Sequence, residues 1–523
     1  MGICPKGKLP YSALSFRQNH LQVVRVRWFR ELVCHHFSPI HYFEIGPLDI
    51  MKGIKPKISV SPNSLISQCS VGGFKLGNML KSRRKFIQAT ALVTGHLVLA
   101  KGLSYGYHHS VDDTIKLALV GCGGRGTGAV AQALSTDQRV KLVAMADVFG
   151  DRLDTSLKSL KSKKYKIPGT NQVVDVESKV DVPEEHRFIG FDAYKRAISL
   201  ADVVILATPP GFRPVHFEEA VRQNKHVFME KPVATDAPGV RKVLAAAVEA
   251  KKKKLNVVAG FQRHYQKNYL EAIKRIHDGA IGDIVGGQVY WLGIAGAPVA
   301  RTPEMTEMEY QLRNKYYFTW LSGDHIVEQH VHNIDVANWV KNAYPVEVQG
   351  TGGRQTRTGK EYGEIFDHHL CDLVYADGTV ISSQCRHYLG TYSRVDEAFV
   401  GTKGRIDSFG RITSLKNYTG KVLFSHDSQS DPNPYQVEHD LLFEAVAKGE
   451  YKFADADNAA KSTLTAIMGR MATYSGKVVR WDEALNSEID LLPEKLDWNA
   501  PPKILPGQDG FYPVAVPGKT RTV

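Results

Sequence analysis

Two short motifs carry most of the chemistry this sequence offers. Gly121-Cys122-Gly123-Gly124-Arg125-Gly126 has the GxGxxG spacing that holds a dinucleotide. Well downstream, Met229-Glu230-Lys231-Pro232 sets a lysine at the end of an apolar strand, where a nicotinamide ring would lie. Either motif alone says little. Together they point to redox chemistry on an alcohol, with NAD as electron acceptor.

The glycine motif sits in the setting that gives it meaning. Ile115–Val120 before it is a short apolar run, as a buried strand should be. Thr127–Leu134 after it opens a helix. Gly121 would permit the tight turn, Gly123 the close approach of a pyrophosphate, and Gly126 a close helix–strand contact. The pyrophosphate would rest on the helix N-terminus, where free N–H groups and the dipole favour an anion. A second apolar run, Lys141–Ala146, ends in Asp147, a carboxylate placed to accept ribose hydroxyls. No arginine follows it directly, which favours NAD over NADP.

These residues need a scaffold, and the chain spells one out. Ala201–Ala207 is a third strand ending in Thr208-Pro209, and Asn256–Phe261 is another, carrying Gln262 and Arg263. Ligands of such sheets bind outside the carboxyl ends of the strands, so Thr208 and Pro209 should line the crevice. Helices are expected around 213–223 and 238–250, and residues 158–186 look like a polar insertion. From about 284 the pattern changes to alternating runs at 284–291, 346–351, 369–375 and 379–388, which fit a sheet with one wetted face. Helices are expected near 326–341, 436–448 and 457–475. The fold class is therefore an α/β Rossmann doubly wound domain followed by an α+β domain with a large, mostly antiparallel open sheet. The expected boundaries are 111–265 for the nucleotide domain, 266–490 for the substrate domain and 491–523 for a tail rich in proline and glycine.

The helix at 326–341 carries the second half of the chemistry. Glu328 and His332 are four apart and would share one face, with His325 a turn before and Asp335 a turn after. His325, Glu328, His330 and His332 could alternatively ligate a metal. However, His330 and His332 are two apart on a helix and point to different sides, so no metal site is assigned. His332 could equally be a buried core histidine, and Lys231 a surface strand end.

Strand–GxGxxG–helix, Asp147, Thr208-Pro209, Glu230-Lys231-Pro232 and the Glu328-x-x-x-His332-x-x-Asp335 run, in this order, resemble the Gfo/Idh/MocA oxidoreductases over roughly 111–490. The resemblance implies a catalytic group of Lys231, Glu328 and His332, with Glu replacing the commoner Asp; His325 and His330 are additions to the usual pattern. His332 would take the hydroxyl proton, since its pKa lies near neutrality. Glu328 would orient it, and Lys231 would stabilise negative charge on the substrate oxygen. The expected cofactor contacts are Gly121, Gly123, Gly124, Arg125, Gly126, Asp147, Thr208, Pro209, Glu230, Lys231 and Gln262. The expected substrate contacts are Arg263, Trp320, His325 and Asp335. Family resemblance supplies a sugar, glycoside or cyclitol as substrate and a homo-oligomer as assembly. Two other functions stay open: a redox-neutral NAD-dependent glycosidase or lyase, and a non-catalytic ligand-binding protein.

The 523 residues suffice for two or three domains. The net charge of +13 is concentrated at the front: residues 1–78 carry +7 and residues 79–110 carry +5, leaving 111–523 near neutral. A nucleic-acid partner is therefore not expected. Ser82-Arg83-Arg84-Lys85-Phe86-Ile87 before an apolar stretch ending at Ala100 resembles a twin-arginine (Tat) export signal, too short and interrupted to span a membrane. The Tat export machinery would be a partner, and the location periplasmic, or cytoplasmic if the signal is unused. Met79 is well placed as a start, which makes 1–78 a doubtful extension and 79–110 a signal peptide with linker. Cys122, Cys371 and Cys385 lack metal-ligand spacing and suggest no disulfide framework.

Overall fold

A computed structural model of the chain describes residues 113–167, 171–294, 296–407, 410–415 and 420–523. The expectations for 1–78 and for the signal segment lie outside the described residues. Five βα crossovers build the first domain. Its strands are β1 (Ile115–Val120), β2 (Val140–Asp147), β3 (Arg187–Ile189), β4 (Val203–Leu206), β5 (His226–Met229) and β6 (Val257–Ala259). They form one parallel sheet in the order β3-β2-β1-β4-β5-β6. The order reverses at β1, and the crevice beside such a switch point is where doubly wound sheets bind ligands. Leu117, Ala118 and Leu119 on β1 have no exposed surface, because helices cover both faces.

The helices are α1 (Gly124–Leu134), α2 (Gly150–Leu160), α3 (Ala193–Ser199), α4 (Arg213–Arg222) and α5 (Ala237–Lys252). Asp236 caps α5 by accepting from Gly239 N at 2.8 Å, with a proline in its first turn. The stretch expected as a polar insertion holds a small hairpin, Tyr165–Lys166 with Val173–Val174, and then the short strand β3. That strand escaped the sequence reading because three residues show no period.

After α6 (Lys267–His277) the second sheet begins with β7 (Ile284–Gly293). It continues through β8 (Glu347–Gly353), β9 (His368–Val374), β10 (Val380–His387), β11 (Arg394–Gly401), β12 (Gly404–Asp407), β13 (Arg411–Ser414), β14 (Val422–Ser425) and β15 (Val479–Arg480). The nine strands run in the order β14-β13-β12-β11-β7-β10-β9-β8-β15, antiparallel except for the β7–β10 pair. The sequence showed β7 to β10 but not the half of the sheet from β11 to β14.

The connection after β7 forms α7 (Glu307–Arg313), α8 (His325–Glu328) and α9 (Val331–Lys341). The single helix expected at 326–341 is thus two pieces. His330 N bonds to His325 O at 3.1 Å, a step one residue longer than the α-helical ladder, before the regular pattern resumes. The side chains at the break bond to the sheet: His330 Nε2 to Ser383 Oγ at 2.9 Å, and Gln329 Oε1 to His387 Nε2. These tertiary bonds outweigh local continuity.

Two later helices join the domains. α10 (Pro434–Ala447) packs against α1 of the nucleotide domain, and α11 (Ala456–Ser475) lies between α5 and the inner face of the second sheet. Between them, Val257 N bonds to Phe453 O, so the chain around 434–455 returns to the first sheet. The tail does not hang free. Leu491 N bonds to Asp236 Oδ2, and Trp498 packs its ring on Phe149 and Phe191 at 5.4 and 5.0 Å. Among the described residues no helix is long and apolar enough to cross a membrane.

Candidate active site

A cavity of about 670 Å³ opens at the carboxyl edge of the first sheet. Gly121, Gly123, Gly124, Arg125, Gly126, Asp147, Thr208 and Pro209 all line it. The glycines are required for steric reasons. Gly121 has φ +99°, and a Cβ there would meet Thr208 N at 2.5 Å. A Cβ on Gly126 would meet Gly121 O at 2.1 Å, so α1 could not pack this closely on β1. Gly123 and Gly124 have open space where a Cβ would be, on the cavity side of the turn. The first N–H groups of α1 have no intrahelical partner and no acid occupies its first turn.

Asp147 is aimed by two backbone donors, Cys122 N at 2.6 Å and Phe149 N at 2.9 Å. Burial pushes its carboxyl upward, opposed by these same N–H groups. An open phosphate cradle and a carboxylate at the tip of β2 fit a nicotinamide dinucleotide.

The reacting end lies where β5 delivers Glu230 and Lys231. Arg213, fully buried, donates to the carbonyls of both Pro232 and Thr208 and so ties this turn to the tip of β4. Glu230 is engaged by Arg125, whose Nη2 also donates to Glu438 Oε1 on α10 at 3.1 Å. Lys231 Nζ donates to the backbone carbonyl of Glu328. Burial lowers the Lys231 pKa, with Glu328 and Glu230 opposing.

His332 lies at the start of α9, its ring parallel to Trp291 at 6.0 Å and edge-on to Phe261 at 6.0 Å. Its Nδ1 is buried without a partner. Burial, then the charges of Lys231 and Arg263, holds its pKa well below the usual histidine value, so the ring is neutral at physiological pH.

The Glu328–His332 pairing expected from the spacing does not form. With the helix broken between them, the Glu328 carboxylate turns to Lys315, whose Nζ donates to Oε1 at 2.8 Å. Glu328 Oε2 remains buried and without a partner, as does Gln262 Oε1. Buried polar atoms are normally satisfied. Each of these two oxygens is a candidate hydrogen-bond acceptor for a polar ligand.

The residues expected to touch substrate take other partners. Arg263 is paired with Glu397 and lies over Tyr269. Trp320 is a core residue, with Nε1 on Gln311 Oε1 at 2.7 Å. Asp335 accepts from His264 Nε2 and Ser462 Oγ, each at 2.7 Å. His325 bonds to Asp324 at 2.7 Å through Nδ1. Residue type and helical spacing alone do not distinguish a buried structural partner from a ligand contact. The four residues weighed as metal ligands do not converge. Asp324, His325 and His369 do lie within ligand distance of one another, and Asp324 accepts from both histidines, from Tyr474 OH at 2.6 Å and from Phe366 N at 3.0 Å.

Lys315, Arg213 and Glu438 are site residues that the sequence did not reveal. Lys315 sits in a short basic and aromatic run, Arg313-Asn314-Lys315-Tyr316-Tyr317, that has no periodicity to read.

A parallel-sheet dinucleotide fold joined to a second, mostly antiparallel sheet is the architecture of a two-domain nicotinamide-dependent oxidoreductase. Comparison with known proteins narrows this. The family model "Oxidoreductase family, NAD-binding Rossmann fold" matches residues 115–259, and "GFO/IDH/MocA C-terminal domain" matches residues 269–407. The chain belongs to the Gfo/Idh/MocA family of oxidoreductases, acting on CH–OH groups. Inositol 2-dehydrogenase of Rhizobium meliloti (strain 1021) is 24% identical over 346 residues, which is 64% of this chain and 90% of that relative. Among solved structures, scyllo-inositol dehydrogenase from Lactobacillus casei with bound cofactor NAD(H) and scyllo-inositol aligns with a TM-score of 0.51 and 18% identity. It covers 70% of this chain and 99% of that one. Aldose-aldose oxidoreductase from Caulobacter crescentus aligns with a TM-score of 0.52 and 20% identity, again covering 70% and 99%. At these identities the solved structures support the fold.

Proposed function

We propose that this enzyme moves a hydride between NAD and a hydroxyl-bearing carbon of a neutral ring polyol, a cyclitol or sugar. The observation that carries the reading is the Lys231 ammonium beside a neutral His332 and the unpaired Glu328 Oε2. Bound NAD would supply the hydride acceptor. Lys231 would donate a hydrogen bond to the substrate oxygen and stabilise negative charge there as the C–H bond breaks. His332 would accept the hydroxyl proton, and its depressed pKa keeps it ready to do so at neutral pH. Glu328 would hold Lys231 through its main-chain carbonyl, in place of the orienting role toward His332 that the family pattern implies. The ring class is supported by the inositol dehydrogenase relative.

Asp147 favours NAD over NADP, since a 2′-phosphate would face its carboxylate. The twin-arginine segment at residues 82–100 adds export as part of the proposal, with the cofactor carried in the folded protein.

The test is to incubate the NAD-loaded enzyme with myo-inositol, D-glucose and methyl β-D-glucoside and to look for reduced nicotinamide and a ring ketone. A ring ketone formed with reduced cofactor supports the reading. Cleavage of the glucoside with no net reduction would move the assignment to a redox-neutral glycosidase. No reaction with any of the three would contradict it.

A further inference from the structure

Lys315 is used by neither the dinucleotide site nor the catalytic lysine motif, yet it enters the same cavity. It lies in a single turn, Lys315–Tyr317, after α7. Its Nζ donates to Glu328 Oε1 at 2.8 Å, and the Tyr316 ring lies 4.6 Å from that ammonium. Burial pulls its pKa down, but the Glu328 carboxylate and Tyr316 together more than offset this and leave it raised. An ammonium has three donors, and only one is used here. Beside it, Glu328 Oε2 is an acceptor with no partner, on a residue only 6% exposed. A spare donor and a spare acceptor therefore stand side by side, one residue's reach from Lys231.

We propose that Lys315 and Glu328 form a diol-reading subsite that fixes which ring carbon is oxidised. The inference rests on the polyol reading above. A hydroxyl next to the reacting carbon would donate to Glu328 Oε2, and the following ring hydroxyl would accept from Lys315 Nζ. The pair as a whole is neutral, which suits a neutral polyol. A substrate lacking either hydroxyl leaves Glu328 Oε2 or a Lys315 N–H without a partner although the ion pair itself persists, and sites built to hydrogen-bond a hydroxyl reject analogues without it. Lys315 is thus a specificity-determining residue, and the helix break that turns Glu328 away from His332 creates the subsite.

The experiment compares wild type with Lys315→Met, which keeps the aliphatic stem and removes the donors. The probe is whichever of myo-inositol, D-glucose and methyl β-D-glucoside has the highest kcat/KM, together with its monodeoxy analogues next to the oxidised carbon. Wild type is expected to lose about tenfold or more in kcat/KM on one deoxy analogue. Lys315→Met is expected to lose activity on the parent and to bring the parent-to-deoxy ratio within about twofold. If the variant loses equally on parent and analogue, Lys315 only supports the fold and the proposal is overturned. Retention of wild-type discrimination overturns it too. Lys315→Gln, checked by thermal melting, replaces the methionine variant if that one fails to fold. Calorimetric binding of the same compounds to the NADH-loaded protein reads the contrast without turnover. Discrimination in binding without any reaction would contradict the redox reading but uphold the subsite, and absence of binding by all three would overturn the subsite.

Discussion

At the scale of single residues, the site separates two jobs that adjacent sequence positions suggested were one. His332 Nδ1 is buried and has no partner in the fold. Lys231 is fixed by a main-chain carbonyl rather than by a carboxylate. Lys231→Met is expected to lower kcat/KM for oxidation by about 100-fold or more while changing NAD affinity little, as measured by titration with NAD. The His332 pKa is depressed in the folded protein, so its base form persists below the usual histidine value of about 6.5. The acid limb of kcat/KM for oxidation should therefore lie below that pH, and should vanish into a uniformly low rate in His332→Asn. A half-loss of activity near pH 7 in wild type would contradict the assignment of His332 as the neutral base. Asp324 shows the opposite arrangement. Burial pushes its carboxyl up, but His369 and His325 outweigh this and hold it well below the usual range. Its stabilising contribution is complete above the unfolded carboxylate pKa and is lost as pH falls through the folded value. Asp324→Asn should cost about 3–5 kcal/mol near neutrality, with the gap narrowing in acid, as read by denaturant titration at both pH values.

At the scale of elements, legibility followed period and punctuation. The nucleotide domain was readable because β1, β2, β4, β5 and β6 are apolar runs that end in recognisable residues: a glycine turn, Asp147, Thr208-Pro209, Glu230-Lys231 and Gln262. Strands β11 to β14 were not, since Arg394–Gly401 mixes both faces and its neighbours are four residues long. The break between α8 and α9 was invisible for a different reason. Glu328 and His332 satisfy helical spacing perfectly well, and the competing bonds from Gln329 and His330 reach residues more than fifty positions away. Sequence spacing reports local preference, whereas the separation of Glu328 from His332 is decided by tertiary contacts. The glycine turn is the element whose failure should be most specific. Gly126→Ala puts a methyl group 2.1 Å from Gly121 O. It should abolish measurable NAD binding by equilibrium dialysis, whereas the second domain, remote from the clash, should retain its secondary structure by circular dichroism.

At the scale of the whole molecule, the C-terminal tail packs against residues that line the cofactor cleft. Trp498 rests on Phe149 and Phe191, both of which line the cavity, and Arg313 crosses from the second domain to Asp151 at 3.2 Å and to the Phe149 ring at 4.1 Å. These contacts brace the wall of the cavity formed by Phe149 and Phe191. Trp498→Ala should speed NAD release, measured by the loss of cofactor on dilution, and cost about 2–3 kcal/mol of stability. The central claim concerns the other end of the same cleft, and one measurement tests it directly. NAD-loaded enzyme is mixed with an excess of myo-inositol, D-glucose or methyl β-D-glucoside, and the absorbance of the reduced nicotinamide ring is followed through a single turnover. Wild type should give a reduced-cofactor burst matching the enzyme concentration with at least one of the three, together with a ring ketone by mass spectrometry, and Lys231→Met should give none. An equal burst from wild type and Lys231→Met, or none from either with all three compounds, would contradict the account.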